Sequence, residues 1–544
     1  MERILFINPP NVTFNDFINP SYSALNKGIK HLGNVLTDMP LGIISMSAYL
    51  KKHFPVETKL VDFNVILNRL TQFDYRSFEK FLYDFFLVSG LRDFAPKIVG
   101  ISVLFAPAYR NSLDIARVCH DIFPKALIVA GGGVPTGAYK EMFRDSDYFD
   151  GLCYGEGEKP LLGLVKAEDK RAYLEESSSW ITRRKLGKKQ SFKQDFIENL
   201  DEIPFYDYEM LDIDGYGLDP VITTFFSIKE KSQNFHMSTS RGCPFGCCFC
   251  SSSSVHGRRM RYHSIKRIGE DLDRLKRQFG ARIIVFQDDH FLSDRERAIE
   301  ILKIVKDLKV IPVFQSGLAL YALDRKMLEL LKEAGVNPIV LSVESGSNRV
   351  LKEIMHKPLD LSIVNRVIND CNDLGIHTDV NILIGLPGAT KKDIEDTRAF
   401  LRTIKADRFR INRAVPLVGS EMLDICIRKG YVKEDYLNAN FKKAIIETED
   451  FTSKYIEEIA YVMNLELNFV FNNNYCSGNY EIALKGFENA IRAKNDHAIA
   501  YYYAAKCYER LGQLEKAKQY MEKAKTNAKK PFWNKYFRMF NIPI

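Results

Sequence analysis

Residues 243–250 read Cys243-Pro244-Phe245-Gly246-Cys247-Cys248-Phe249-Cys250, a C-x-x-x-C-x-x-C array with an aromatic, Phe249, directly before the last cysteine. Gly242, Pro244 and Gly246 discourage regular helix, so the backbone can curl and aim the thiolates of Cys243, Cys247 and Cys250 at one centre. Thiolates are the ligands of iron–sulfur clusters, and a four-iron cubane held by three of them keeps one iron open. Zinc is the competing ion; it takes a fourth ligand, which His256 could supply. A disulfide cluster is the other alternative, but ten cysteines spread over 544 residues do not make a disulfide scaffold. Cys248 is an extra thiol, read as a non-ligand pointing away from the centre.

The spacing, the aromatic and the loop resemble those of the radical S-adenosylmethionine (SAM) superfamily. The resemblance implies a 4Fe-4S cluster whose open iron chelates SAM and whose electron cleaves it to a 5′-deoxyadenosyl radical. From 235 to about 430 a strand-then-helix rhythm returns six times, with strands expected at 235–240, 282–287, 313–317, 339–344, 379–384 and 409–415. Successive right-handed βα units close into a barrel or part of one, with chemistry at the C-terminal rim. The cysteine loop follows the first strand, and six units point to a partial (β/α)6 barrel. At the rim, Phe249, Glu344, Ser345, Gly346, Gly385 and Pro387 are the expected SAM contacts. Glu344 suits ribose hydroxyls or the SAM amino group, and the backbone of Gly385-Leu386-Pro387-Gly388 suits adenine. Pro416 with Gly419-Ser420 resembles the family's turn after the sixth strand. Asp288 and Asp289 carry two readings, a SAM- or substrate-facing cluster or a helix cap before Ser293; His290 is read as packing.

Residues 1–165 alternate apolar strands (4–8, 58–63, 98–104, 126–130 and 151–154) with helical segments near 42–53, 66–88, 108–122 and 137–144. Such alternation specifies an α/β fold with a parallel sheet covered on both faces, Rossmann-like and of flavodoxin-like type, with ligands outside the carboxyl ends of the strands. Asn8-Pro9-Pro10, Pro40-Leu41-Gly42 opening a helix, Asp62 after a strand, Gly131-Gly132-Gly133-Val134-Pro135-Thr136 and Tyr154-Gly155-Glu156-Gly157-Glu158 lie in its loops. The glycine run by itself reads as a phosphate cradle or a tight turn, and the domain as a flavodoxin-like one that binds nothing. In this order the loops resemble those of cobalamin-binding domains that precede radical SAM domains. The implied cobalamin contacts are Pro9, Pro10, Leu41, Gly42, Asp62, Gly131, Gly132, Gly133, Val134, Pro135, Gly155, Glu156 and Gly157. Two departures stand out. No Asp-x-His-x-x-Gly segment is present, and Val134 occupies a position that holds histidine in many relatives, so cobalt's lower face has no assigned ligand.

Residues 166–232 read as a linker, with a hairpin around Trp180–Phe192. Residues 233–430 form the radical SAM domain and 431–544 a helical region. There Gly478, Ala483, Phe487 and Ala490 recur 34 positions later as Gly512, Ala517, Met521 and Ala524, the period of tetratricopeptide repeats. Tyr501–Tyr503 and Tyr508 are expected in the repeat core, and the repeats are expected to pack on the barrel or meet a protein partner.

Hydrophobic residues at 46% and charged residues at 27% describe a globular protein. A net charge of +8 is modest, and the basic clusters Arg183-Arg184-Lys185, Lys188-Lys189 and Arg258-Arg259 with Arg261 read as solvated faces, not nucleic-acid sites. The N-terminus reads as neither signal peptide nor span, and no apolar run reaches bilayer length. Ten cysteines that make no disulfide scaffold imply a reducing cytoplasm. The resemblance implies a cobalamin-dependent radical SAM methyltransferase acting on an unactivated carbon of a small-molecule, lipid or peptide substrate, with an electron donor such as flavodoxin or ferredoxin. The alternatives are a radical cyclase or rearrangement enzyme using the same cofactors, and a repeat-bearing scaffold without catalysis. No catalytic side chain is assigned from the sequence.

Overall fold

The structure, a computed structural model, describes residues 1–20, 32, 33, 35, 37–188, 191–216, 234–432, 435–439 and 443–543. Its N-terminal sheet is built from β1 (Glu2–Asn8), β2 (Val56–Asp62), β3 (Ile98–Ser102), β4 (Leu127–Gly131), β5 (Gly151–Cys153) and β6 (Trp180–Ile181), in the order β2-β1-β3-β4-β5-β6. The first five strands are parallel. Along β1, Leu5 and Ile7 enter the core on one face while Ile4 and Phe6 enter that on the other, the alternation a doubly covered sheet requires.

Four expectations are corrected here. The single helix expected over 66–88 is two, Phe63–Arg69 and Phe78–Val88, each begun by its own side-chain cap, Asp62 and Ser77. The sheet runs past 165, because β6 adds to β5 antiparallel. Trp180 is buried beside Gly151, where a side chain would crowd its ring, and donates Nε1–H to the Pro160 carbonyl at 3.2 Å. The hairpin around 180–192 is therefore replaced by this edge strand and a turn of helix at Arg183–Leu186; positions 189 and 190 of that expectation, and 217–232 of the linker, lie outside the described residues. Lys185, expected on a solvated face, is buried. Its ammonium donates to the carbonyls of Leu174, Ser177 and Trp180, closing the end of the helix Lys170–Glu176.

The second unit holds β7 (Asn234–Met237), the short hairpin β8 (Ser240–Arg241) and β9 (Arg261–Tyr262), then β10 (Ile283–Phe286), β11 (Ile311–Phe314), β12 (Ile339–Glu344), β13 (Thr378–Ile384) and β14 (Arg408–Arg413). β11-β10-β7 and β12-β13-β14 are parallel triplets, joined by a parallel bridge between Leu318 and Leu341. The six strands expected from the sequence thus form an open partial barrel. Ile339, Leu341, Val343, Val380, Ile382, Phe409 and Ile411 are buried outward, whereas the alternate residues Ser342, Glu344, Asn381 and Arg410 stay partly open, so the lumen is accessible.

The C-terminal helices cover one edge of this barrel. Asn468 donates Nδ2–H to the Phe409 carbonyl and accepts from its N–H, both at 2.8 Å, so one amide side chain caps the free edge of β14 as a strand would. Asn474 donates to Asp407 at 2.8 Å, and Arg398 and Arg402 both engage Glu466. Gly478 and Gly512, 34 residues apart, end equivalent turns with φ of 82° and 75°. Tyr501, Tyr502, Tyr503 and Tyr508 are buried, as expected. Among the described residues no helix is long and apolar enough to cross a membrane.

Candidate active site

The cysteine loop leaves β8 at Gly242, whose φ of 95° and close approach to the Arg259 carbonyl admit no side chain. The β8–β9 pairing of Arg241 with Arg261 draws the two ends of the loop region together. Cys243 and Cys247 are half-buried and Cys250 is exposed, while Cys248 is turned into the core, its thiol pushed up to about 12 by burial. The backbone of Cys248 is fixed on both sides: its N–H donates to the Met355 carbonyl at 3.1 Å and its carbonyl accepts from Met422 at 2.8 Å. Phe249 packs against the core. Among the described residues no three His, Cys, Asp or Glu side chains meet closely enough for a single metal ion. Three thiols on one loop, not gathered on a single point, are a donor set that fits a cube-shaped cluster better than one tetrahedral ion.

Asp288 and Asp289 serve neither of the roles expected for them. The helix cap is Asp294. Asp288 is buried and accepts from the Thr239 amide and hydroxyl and from Ser240, tying the end of β10 to the end of β7. Asp289 accepts from the Gly242 N–H at 3.1 Å and from the Ser252 hydroxyl, so one carboxylate staples both ends of the cysteine loop. His290 packs as expected, its ring against Phe245 and its Nε2 2.6 Å from the Tyr321 hydroxyl.

Glu344 ends β12 with φ of 67°, a conformation that costs a non-glycine residue about 1–3 kcal/mol and is retained where it serves a site. Burial raises its carboxyl above the usual carboxylate range, and Lys357, 3.8 Å away, offsets only part of that rise. Lys357 was not singled out in the sequence. It sits beyond a π turn (Val350–Ile354) in the same segment as Met355, the anchor of Cys248. Burial raises the thiols of Cys243 and Cys247, and the Lys357 charge, which reaches all three cysteines of the array, opposes that rise. The remaining SAM candidates divide. Gly385 and Pro387 lie at the rim end of β13, with Ile456 against Gly385. Ser345 and Gly346 instead bond to Thr397, and a side chain at Gly346 would strike Thr397 and Phe400; they serve packing of the helix Lys391–Leu401.

In the N-terminal unit, Pro9, Pro10, Val134 and Pro135 are buried beneath the strand ends. Gly132 has φ of 113°, and a side chain there would collide with the Val103 carbonyl; its neighbour Gly133 approaches the Leu104 carbonyl. The glycine run therefore brings two strand-end loops together. Those loops leave Leu104 and Phe105 open to solvent, 56% and 48% exposed, an apolar shelf that fits the face of a flat ring. Leu41 and Gly42 open the helix Leu41–His53. Asp62 is buried, accepting from Asn8 at 3.0 Å and Tyr216 at 2.8 Å, and caps a helix, so its carboxylate is already occupied.

Glu156, expected at the corrin, lies instead in a buried charge cluster between the two units. It accepts from Arg261 at 2.6 and 2.9 Å, pairs with Arg241 at 3.2 Å and meets His256 at 2.9 Å. Glu158 accepts from Arg241 at 2.7 Å and from Ser45 at 2.6 Å. Burial pushes the Glu156 carboxyl up, but the Arg241 charge and the bonds from His256 and Arg261 prevail and hold it well below the usual carboxylate range. Arg261, expected on a solvated face, is 4% exposed. His256 is committed to this cluster and not to the thiolates. Removing one partner of such a cluster strands a buried charge, at a cost of about 3–5 kcal/mol.

Comparison with known proteins agrees with this geometry. Residues 39–165 match the B12 binding domain and residues 237–401 the radical SAM superfamily. The chain belongs to the cobalamin-dependent radical SAM enzymes. It is 28% identical over 375 residues to an uncharacterized methyltransferase of Pyrococcus horikoshii, covering 68% of this chain and 78% of the relative. It is 26% identical over 465 residues to cytidylyl-2-hydroxyethylphosphonate methyltransferase of Streptomyces wedmorensis, covering 79% and 86%. The radical SAM enzyme also shares its fold with the cobalamin-dependent S-adenosylmethionine radical enzyme OxsB, solved with aqua-cobalamin and SAM, at a TM-score of 0.63 and 15% identity over 99% of this chain and 80% of that one.

Proposed function

We propose that this enzyme methylates an unactivated carbon of a polar substrate held in the barrel lumen. The observation that carries the reading is the seating of the N-terminal unit's strand-end loops against the cysteine loop. Gly133 faces Val255 on the helix Ser252–His256, and Gly137 touches Val418 and Gly419 so closely that any side chain would part them. The two cradles are therefore built as neighbours, which a two-cofactor reaction at one carbon needs. When bound, the cluster and SAM supply a 5′-deoxyadenosyl radical, and cobalamin supplies the methyl group.

The chain's own residues hold and orient. Cys243, Cys247 and Cys250 are the cluster ligands, and Glu344 with Lys357 presents a carboxylate and an ammonium to the amino-acid end of SAM. Leu104 and Phe105 supply the apolar surface beneath the corrin. In the lumen Ser342, Asn381 and Arg410 share one register, and Gln287 donates to Gln315 at 2.6 Å. The Asn381 Oδ1 has no partner among the described residues. That belt suits a hydrogen-bonding substrate better than a hydrocarbon, whose burial would desolvate it without replacement bonds. The domain reading is 1–165 for cobalamin, with the β6 edge strand added to its sheet, 166–232 as the linker, 233–430 for radical chemistry and 431–544 for repeat-like helices open to a protein partner. A flavodoxin or ferredoxin in a reducing cytoplasm completes the scheme as one-electron donor.

The test is product stoichiometry with the true substrate. Methyl transfer releases one S-adenosylhomocysteine and one 5′-deoxyadenosine per turnover, in a steady ratio at several extents of reaction. Deoxyadenosine without S-adenosylhomocysteine would reject methyl transfer in favour of a cyclisation or rearrangement.

A further inference from the structure

Arg241 occupies a junction that the proposed reaction does not by itself explain. It lies two residues before Cys243, on the strand that enters the cysteine loop, and is 7% exposed. Its guanidinium reaches Glu156 at 3.2 Å, Glu158 at 2.7 Å and Ser45 at 3.2 Å. Glu156 and Glu158 belong to the Gly155–Gly157 turn and the start of the helix Glu158–Lys166, while Ser45 belongs to the helix that begins at Leu41-Gly42. One side chain thus joins the cluster loop to two separate elements of the cobalamin-binding domain. Arg261, paired with Arg241 across the hairpin, holds the other side of Glu156 and donates to the carbonyls of Ile197 and His256. Two arginines face two glutamates, so the cluster is charge-matched, and its forked, planar bonds fix direction as well as distance.

We propose that Arg241 is a positioning residue for methyl transfer: its fork on Glu156 and Glu158 sets the separation and tilt between the corrin cradle and the iron–sulfur loop. The proposal rests on the two-cofactor reading above. The device matters because the two halves of the reaction meet at one carbon, and a displacement of about 1 Å can cost about 10²-fold in rate. Slack at this junction leaves each half-site intact and separates them. A lysine at 241 keeps the charge but cannot engage two carboxylates in one plane, and Glu156→Gln keeps the shape of the acceptor but removes its charge.

The experiment uses the full holoenzyme, loaded with cluster and cobalamin, in wild-type, Arg241→Lys and Glu156→Gln forms. Iron content, bound cobalamin and the change in the cluster's electron paramagnetic resonance on adding SAM establish that each half-site is filled. The magnetic interaction between Co(II) and the reduced cluster then reports their separation without catalysis. The expected result is normal loading in both variants, a broadened Co–cluster distance distribution, and a methyl product yield about 10- to 100-fold lower per deoxyadenosine formed. Unchanged distance distributions with unchanged coupling in both variants would overturn the proposal. A variant that loses iron or cobalamin outright would overturn it too, by assigning the arginine to the integrity of one site. If wild-type enzyme makes no S-adenosylhomocysteine, the methyl-transfer reading fails while the distance measurement still decides whether Arg241 sets the geometry.

Discussion

Replacing Asp289 by alanine removes the acceptor that gathers both ends of the cysteine loop, the Gly242 N–H and the Ser252 hydroxyl. A hydrogen bond to a charged group contributes about 1.5–3 kcal/mol. Asp289 is half-buried, which places both bonds at the lower end, about 3 kcal/mol together. That corresponds to about 10²-fold in the equilibrium between the gathered loop and an open one, at the upper end of the 10- to 100-fold loss usual when a group orienting a metal ligand is removed. A second effect has the opposite sign. The Asp289 charge raises the thiols of Cys243 and Cys250, so its removal eases their deprotonation. Asp289→Asn separates the two, because it drops the charge while its amide oxygen can still accept from the Gly242 N–H and its NH2 can donate to the Ser252 hydroxyl oxygen. The assay is anaerobic reconstitution followed by challenge with an iron chelator, read as cluster lifetime. Asp289→Ala is expected to lose its cluster far faster than wild type, with Asp289→Asn close to wild type. Equal lifetimes for Asp289→Ala and wild type would refute the stapling argument, and equal losses in both variants would show that charge and not loop geometry decides.

Cys243→Ala, Cys247→Ala and Cys250→Ala should each abolish cluster assembly, whereas Cys248→Ala should keep its iron, since that thiol points into the core; an iron-free Cys248→Ala protein with an intact Cys247→Ala cluster would move the ligand register. Cluster assembly needs thiolates, and burial holds the Cys243 and Cys247 thiols protonated at neutral pH, so iron uptake should rise with pH. Lys357→Met removes the opposing positive charge and should move that rise to higher pH, and a profile that stays put or moves lower contradicts the assignment. The Co(II) form of bound cobalamin should show no nitrogen splitting from a protein histidine, because buried Val134 and the Leu104–Phe105 shelf offer none; such splitting in the electron paramagnetic resonance spectrum would reject it.

The sequence by itself determined what short-range chemistry encodes. Six barrel strands were legible because β-branched and aromatic runs alternate with helical spacing, and the cluster loop because four cysteines, a proline and two glycines lie within nine residues. Glycines at strand ends are likewise local, since the conformation a turn needs is set by the residue itself. Apolar burial is forgiving of partner, so patterning alone selects the layers. Partnership between charges is not. Glu156 read as a ligand contact because its loop does, yet its fate is set by Arg241 and Arg261, the latter 105 residues away, and by whether water reaches the place where they meet. Asp62, Asp289, Lys185 and Lys357 are of the same kind: a carboxylate or ammonium carries no local mark of its partner. Whether it ends as a solvated charge, a cap or a staple is decided only when the chain closes around it, because desolvation makes an unpaired charge intolerable and a paired one rigid.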